Sequence, residues 1–257
     1  MHPVRRLTKG HMLKFIFLTD THGDLRDIET IEAAREFAAW LKPDFLIGGG
    51  DFWDFRCLRA GASDEDQNYS IEADLLAAED TFDRFFGSYQ SAHKVYLYGN
   101  HDLRRVERLL NSPRAALRDY AQRLDDEVRS VVNRFTDESR PYDKRAGIFN
   151  IGGFSFVHGY SHGIHAVRKH AISYGPCMFG HIHAFGTHVM EDIIQSQSHS
   201  IGCACLLDQS YNASHIGTLR QEHGFGYGFI NPERGIFDIH HARKVDGEFF
   251  LPTEWNK

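Results

Sequence analysis

The chain has only four cysteines in 257 residues, Cys57, Cys177, Cys203 and Cys205. They have neither the number nor the spacing of a secreted disulfide framework, which points to a reducing compartment, the cytoplasm. The Cys203-x-Cys205 pair reads as strand-borne core rather than as a metal site. No run approaches the roughly 18 apolar residues of a membrane-spanning helix, so no membrane partner is expected. Arg5 and Arg6 ahead of LKFIFL do not make a signal peptide, because the apolar run is short, contains Lys14 and ends in Asp20. Residues 1–11 read either as a native arm ahead of the first strand or as a non-native remnant. A basic excess is missing too. The formal charge of −6 provides none of the field that dominates non-specific nucleic-acid affinity, although a nuclease whose own metals supply positive charge stays compatible. Repeats, low-complexity tracts and domain linkers are absent. With 42% hydrophobic and 25% charged residues the composition is that of an ordinary soluble chain able to bury a core without staples.

What is present is a regular alternation. LKFIFLTD (13–20) is an apolar run ending in a polar turn, as a buried parallel strand would be. A helix is expected from about Leu25 to Leu41, with Leu25, Ile28, Ile31, Ala34, Phe37, Ala38 and Leu41 at helical spacing and Pro43 beyond its stop. DFLIGGGD (44–51) and KVYLYGN (94–100) are the next strands, so right-handed crossovers and a mainly parallel sheet follow. Later, GIFNI and FSFVHG flank Gly152-Gly153, a hairpin signal. CMFGHIH, THVMEDII, FGYGFI and GIFDIHHARKV add strands, the last two joined across Asn231–Gly235. Residues 55–90 and 103–145, rich in Arg, Glu, Asp, Ala and Leu, read as helical insertions beside a site within one domain spanning 1–257.

Ligands of open α/β sheets gather outside the carboxyl ends of strands. Five strand ends carry polar residues beside glycine: Asp20 and His22 in DTHGD, Asp51 in GDFWD, Asn100 and His101 in GNHD, His158 in VHG, and His181 and His183 in GHIH. Any one of them is weak, since an aspartate at a strand end is usually a turn or cap and the chain holds 17 histidines. Together they are hard to assign to chance. Imidazole nitrogen and carboxylate oxygen suit zinc, manganese and iron, and no cysteine occupies the five places. Seven ligands are too many for one ion. Two ions about 3.5–4 Å apart and bridged by a carboxylate would use them all, as in phosphatases and nucleases. In an extended segment residues i and i+2 project to one side roughly 6–7 Å apart, so His181 and His183 would each reach a different ion.

In this order, Asp20-Thr21-His22, Gly50-Asp51-Phe52-Trp53-Asp54, Gly99-Asn100-His101-Asp102, Val157-His158-Gly159 and Gly180-His181-Ile182-His183 resemble the calcineurin-like metallophosphoesterase superfamily over about residues 13–185. GDFWDFRCLRAGASDEDQ and HSIGCACLLDQ are similar, more softly, to phosphoesterases of phage and prophage genomes. The resemblance implies an α/β fold of two stacked mixed β-sheets flanked by helices. It assigns Asp20, His22, Asp51 and His183 to one ion and Asp51, Asn100, His158 and His181 to the other. His101 is then the imidazole beside the substrate, oriented by Asp102, and Asp54 has a structural role.

Two divalent ions with Asp20, Asp51 and a bridging hydroxide leave a net charge near +1 facing a phosphate. Coordination lowers the pKa of the bridging water from 15.7 toward roughly 7, and His101 can stabilise developing charge or protonate the leaving alkoxide, a role worth typically 10²–10⁴-fold. A dinuclear phosphoesterase is therefore expected, with a phosphodiester of nucleotide or nucleic-acid type as first substrate class. A phosphomonoesterase or protein phosphatase is the second reading, and a non-catalytic scaffold on the same fold the third. Manganese is the favoured metal, with iron or zinc accepted by the same donors. Arg104, Arg105, Arg108, Arg114 and Arg118 either grip a second phosphate or form a solvated helix face. The residues specify no oligomeric state.

Overall fold

The computed structural model describes residues 12–191, 197–206 and 221–252. Strand β1 (Leu13–Leu18) places Phe15 and Phe17 on one face and Ile16 and Leu18 on the other, and both sets are buried. A strand buried on both faces belongs in the middle of a layered fold. β2 (Phe45–Gly48), β3 (His93–Leu97) and a short β4 (Glu138–Arg140) continue from β1 in parallel register. β10 (Gly224–Asn231), β11 (Ile236–Val245) and β12 (Glu248–Phe249) extend its other edge antiparallel.

The second sheet has five strands in the order β5 (Phe149–Ile151), β6 (Phe154–Val157), β7 (Cys177–Phe179), β9 (Gln197–Ser200) and β8 (Gly186–Val189). Both sheets are mixed. Phe15, Phe17, Ile47, Val95 and Leu97 of the first sheet pack against Phe149, Phe154, Phe156 and Met178 of the second. Helices α1 (Ile28–Leu41), α3 (Ile71–Gly87) and α5 (Ala115–Phe135) cover the outer face of the first sheet through Ile31, Phe37, Phe82, Phe85 and Val128. α6 (Ala166–Tyr174) lies against the second through Val167 and Tyr174. The fold is thus α/β with two stacked mixed sheets flanked by helices, as the sequence implies.

Several boundaries differ from the expected ones. The first helix starts at Ile28, because Asp27 caps it by accepting a hydrogen bond from the Thr30 amide, and Leu25 belongs to a preceding 3-10 turn. α3 is the crossover from β2 to β3, and α4 (Asn100–Leu110) with α5 is the crossover from β3 to β4. These helices are therefore part of the layer. What lies beside the strand ends is residues 55–70, with a 3-10 turn (Arg56–Leu58) and the four-residue α2 (Asp64–Gln67), together with the start of α4. The hairpins across Gly152-Gly153 and Asn231–Gly235 are present, pairing Ile151 with Phe154 and Asn231 with Ile236. Of THVMEDII, residues 192–194 lie outside the described residues, as do residues 1–11, 207–209 of HSIGCACLLDQ and His215. Among the described residues no helix is long and apolar enough to cross a membrane.

Candidate metal centre

All five polar strand ends open on one face of the two-sheet stack. Asp20, His22, Asp51, His181 and His183 have left-handed backbones, with φ between 53 and 67°, and make up five of the eight non-glycine residues at positive φ among those described. Such conformations are costly for non-glycine residues and persist only where the surroundings impose them. Here the surroundings are a lattice of loop hydrogen bonds: the Asp20 amide donates to the Gly50 carbonyl, the His22 amide to Asp51, and the Gly180 amide to His158. Two glycines permit the approach. A Cβ on Gly99 would lie 2.0 Å from Asp51 Oδ1, and one on Gly180 would lie 2.3 Å from Asp20 Oδ2.

Asp20 Oδ2 accepts from Thr19 Oγ1 at 2.8 Å and from the His181 amide at 2.9 Å. Its other oxygen, Oδ1, is buried without a hydrogen-bond partner, 3.3 Å from His183 Nε2 and 3.9 Å from His22 Nε2. Those two nitrogens are 3.1 Å apart. With Nδ1 of His22 engaged by Asp54 Oδ1 at 2.9 Å, its Nε2 turns a lone pair toward the same point. On the second side, His158 Nδ1 donates to the Gly49 carbonyl at 2.7 Å, so Nε2 faces Asn100 Oδ1 and Asp51 Oδ2, each 3.2 Å away. His181 completes a group with Asp51 and His158 whose ligand atoms lie within 4.8 Å of one another. The donor set of carboxylate, amide oxygen and imidazole gathered this way fits divalent ions.

Electrostatics agree with the geometry. Burial pushes the Asp20 carboxyl up, but the charges of His183 and His158 override it and hold it near 2. Burial likewise opposes the charged form of Asp51, yet His158 and His101 bring it well below the usual carboxylate range. Burial pushes His158 down and Asp51 carries it up to about 9. His183 is also raised to about 9 against burial, by the charges of Cys203 and Asp20. His181, pressed by burial and by the neighbouring His158, falls to about 3. The two carboxylates thus favour positive charge at His158 and His183, and His181 is left neutral beside them.

One expected role is corrected. Asp102 does not orient His101: its carboxylate accepts from the Asp51, Trp53 and Gly99 amides and from Tyr96 Oη, at 2.7–3.1 Å. It ties the strand ends together instead. His101 Nδ1 meets Asp54 Oδ1 at 2.7 Å, so Asp54, read from sequence as structural, links the His22 and His101 rings. The segment Gly180–His183 is also not extended. The Ile182 amide donates back to the Gly180 carbonyl, and the turn, rather than strand alternation, sends His181 toward Asp51 and His183 toward Asp20.

A cavity of about 620 Å³ opens above these residues. Its floor includes His22, Asp51, Asp54, His101, His181 and His183, and its wall includes Arg56, Arg59, Ser63, Tyr69 and Arg105. Of the arginines on α4 and α5 only Arg105 lines it. Arg104 lies over the Tyr142 ring, Arg108 reaches the Leu58 carbonyl, Arg118 reaches the Ser112 carbonyl, and Arg114 precedes α5 in solvent. Cys205 also lines the cavity, 3.9 Å from His183 Nδ1. No motif or spacing marks it, because it comes from a segment remote in sequence from the five strand ends. Cys203 is fully buried.

A family model described as calcineurin-like phosphoesterase matches residues 13–196. No curated protein matches the sequence. Among solved structures, Vps29 complexed with zinc from Entamoeba histolytica is similar at 12% identity over 93% of this chain and 96% of that one, with a TM-score of 0.47. A metallophosphoesterase from Sphaerobacter thermophilus is similar at 13% identity over 90% and 88%, TM-score 0.44. GAP50, the anchor in the inner membrane complex of Plasmodium, is similar at 12% identity over 93% and 87%, TM-score 0.41.

Proposed function

The chain belongs to the calcineurin-like phosphoesterase family, and from that premise we propose that it hydrolyses phosphodiester bonds, in a nucleotide or nucleic-acid type of substrate, with two divalent metal ions. The observation that carries this reading is the unpartnered, buried Asp20 Oδ1 facing two imidazole nitrogens, beside the group of Asp51, His158 and His181. Asp20, His22, Asp51 and His183 would hold one ion, and Asp51, Asn100, His158 and His181 the other. Manganese is favoured and iron or zinc accepted. When bound, such ions supply positive charge to phosphate oxygens and a hydroxide nucleophile near neutral pH.

The chain's own residues do the rest. Asp51 spans the two groups, its Oδ1 fixed by the His101 amide at 2.7 Å. Asp54 fixes the His101 ring through Nδ1, leaving Nε2 as the atom that can pass a proton to a leaving oxygen. Burial holds the His101 pKa below its ordinary value, and the negative charge of an arriving phosphate raises it, so the proton is present when the ester is.

Substrate class follows from the wall. A volume of about 620 Å³ suits a ligand far larger than one phosphate group. Arg56 is paired with Asp24, Arg59 with Asp66, and Arg105 with Asp54. A wall whose cations are already matched has little to offer a second phosphate charge, and its Tyr69 and arginine stems suit the second substituent of a diester. Four free thiols agree with a reducing cytoplasm, and we read the whole chain as one domain. The test is turnover of bis-nitrophenyl phosphate against nitrophenyl phosphate with manganese. Equal or better use of the diester is expected. A hundredfold preference for the monoester, about 2.7 kcal/mol, would assign the site to a phosphomonoesterase.

A further inference from the structure

The five strand ends do not account for every metal-binding atom at the centre. After β9, residues 201–206 run back toward the first sheet and are laced to the loop that carries Asp20 and His22. The Ala204 amide donates to the Asp20 carbonyl at 3.1 Å, the Asp27 amide donates to the Ala204 carbonyl at 2.8 Å, and the Leu206 amide donates to the Leu25 carbonyl at 2.6 Å. Cys205 is held between these contacts, 4% exposed, and its sulfur faces the cavity. Ligand atoms of His22, His183 and Cys205 lie within 4.8 Å of one another, and two of the three, His22 and His183, also face the unpartnered Asp20 Oδ1.

Resting on the dinuclear reading above, we propose that Cys205 is a thiolate ligand to the ion held by Asp20, His22 and His183, and that it biases this one position toward a softer metal, zinc or iron, while the position at Asn100, His158 and His181 keeps only nitrogen and oxygen donors.

With Asp51 counted, Cys205 makes a fifth protein ligand, and at metal–nitrogen bonds of about 2.1 Å neighbouring ligands of a five-coordinate ion sit roughly 3 Å from each other. His22 Nε2 and His183 Nε2 at 3.1 Å, and His183 Nε2 and Asp20 Oδ1 at 3.3 Å, are near that spacing. The sulfur lies 3.9 Å from His183 Nδ1, and a cysteine χ1 change with the backbone fixed is what would swing it toward the Nε2 side of that ring. On coordination the metal–sulfur bond forms, the S–H bond breaks heterolytically, and the proton leaves to water; no electron is transferred. Thiolate donors select zinc and iron over manganese, so the two positions should differ in metal preference.

The experiment strips the purified chain with chelator, reloads it with cobalt(II), and records cobalt content and the near-ultraviolet spectrum. Two cobalt ions per chain with a thiolate-to-cobalt charge-transfer band are expected. Cys205→Ser should abolish the band while retaining cobalt, and Cys203→Ser should keep it. Zinc affinity of Cys205→Ser should fall roughly tenfold or more, with manganese affinity changed less than about twofold. Two bound cobalt ions without the band, or a band lost only in Cys203→Ser, would overturn the ligand role of Cys205 and leave the dinuclear centre standing. Failure to bind cobalt at all would overturn both.

Discussion

At and just beneath the floor of the cavity, Asp20, Asp51 and His158 are at most 2% exposed, and Asp20 keeps one carboxylate oxygen without a hydrogen-bond partner. On the wall, Arg56, Arg59 and Arg105 each already have an acidic partner, and Arg56 also stacks 3.3 Å over the Tyr69 ring. The floor is held open by strained backbone and by Asp102, Asp54 and Thr19, which engage its other atoms. The wall is locally satisfied and built from short turns. On the proposed function, chemistry would be carried by strand ends locked into two sheets and substrate choice by the polar side chains of residues 55–70 and α4, while Phe55, Leu103 and Val106 of those same segments are packed in the core.

The sharpest way to break this contrast is Asp51→Asn. Its carboxylate is shared by both ligand groups, so metal content and turnover should fall together, turnover by more than the roughly 10⁴-fold ceiling for loss of a proton donor. Atomic absorption and a nitrophenyl ester assay on one preparation check this; normal turnover with two ions would remove Asp51 from the bridge.

His101→Ala should cost roughly 10²–10⁴-fold on esters with poor leaving groups and much less on nitrophenyl esters, with metal content unchanged. Asp54→Asn should show the same substrate dependence, because it loosens the ring that His101 presents. An equal loss on both ester types would leave charge stabilisation as the only role of His101.

How much of this the sequence disclosed differs between the two regions in the same way. The proposed ligands were legible because each of their five strand ends follows an apolar run and carries a glycine within three residues, so strand pattern and turn chemistry locate them without tertiary information. The partner of His101 was not. Asp102 is next to it in sequence, but neighbours on a helix point about 100° apart, and the carboxylate that does face His101, Asp54, lies in a left-handed loop whose direction no periodicity predicts. β4 was missed because Glu138–Arg140 has no apolar residue and is a strand only by pairing with β3. Cys203 and Cys205, read as core, are buried at 0 and 4% exposure, and what the sequence did not disclose is the approach of Cys205 to His183, set by a return segment with no motif.

Beneath the wall, Asp74 accepts from the Asp54 and Phe55 amides and is 4% exposed. Burial raises its pKa to about 7, against the opposing pull of those two hydrogen bonds. A carboxyl raised above its unfolded value binds its proton more tightly when folded, so it weakens the fold as pH rises from about 4 to 7. Asp74→Asn cannot ionise. Its stability relative to the unsubstituted chain should therefore improve across that window, by up to about 4 kcal/mol. Denaturant unfolding at pH 4 and pH 7.5 measures the difference, and a pH-independent gap would show that Asp74 titrates normally.

The smallest expected effects are on the wall. Arg59→Ala or Tyr69→Ala should raise KM for a diester roughly three- to tenfold and leave kcat and metal content nearly unchanged, the pattern of lost uniform binding. A large fall in kcat from either change would mean that the wall takes part in the chemistry and that the division from the floor is false.

The most direct test of the central claim is a manganese titration of the chelator-stripped chain, following bound metal by calorimetry and turnover of bis-nitrophenyl phosphate in the same samples. The account predicts two ions per chain, with turnover absent before metal is added and reaching its maximum only as the second position fills. A single ion at saturation, or hydrolysis that proceeds without metal, would contradict it.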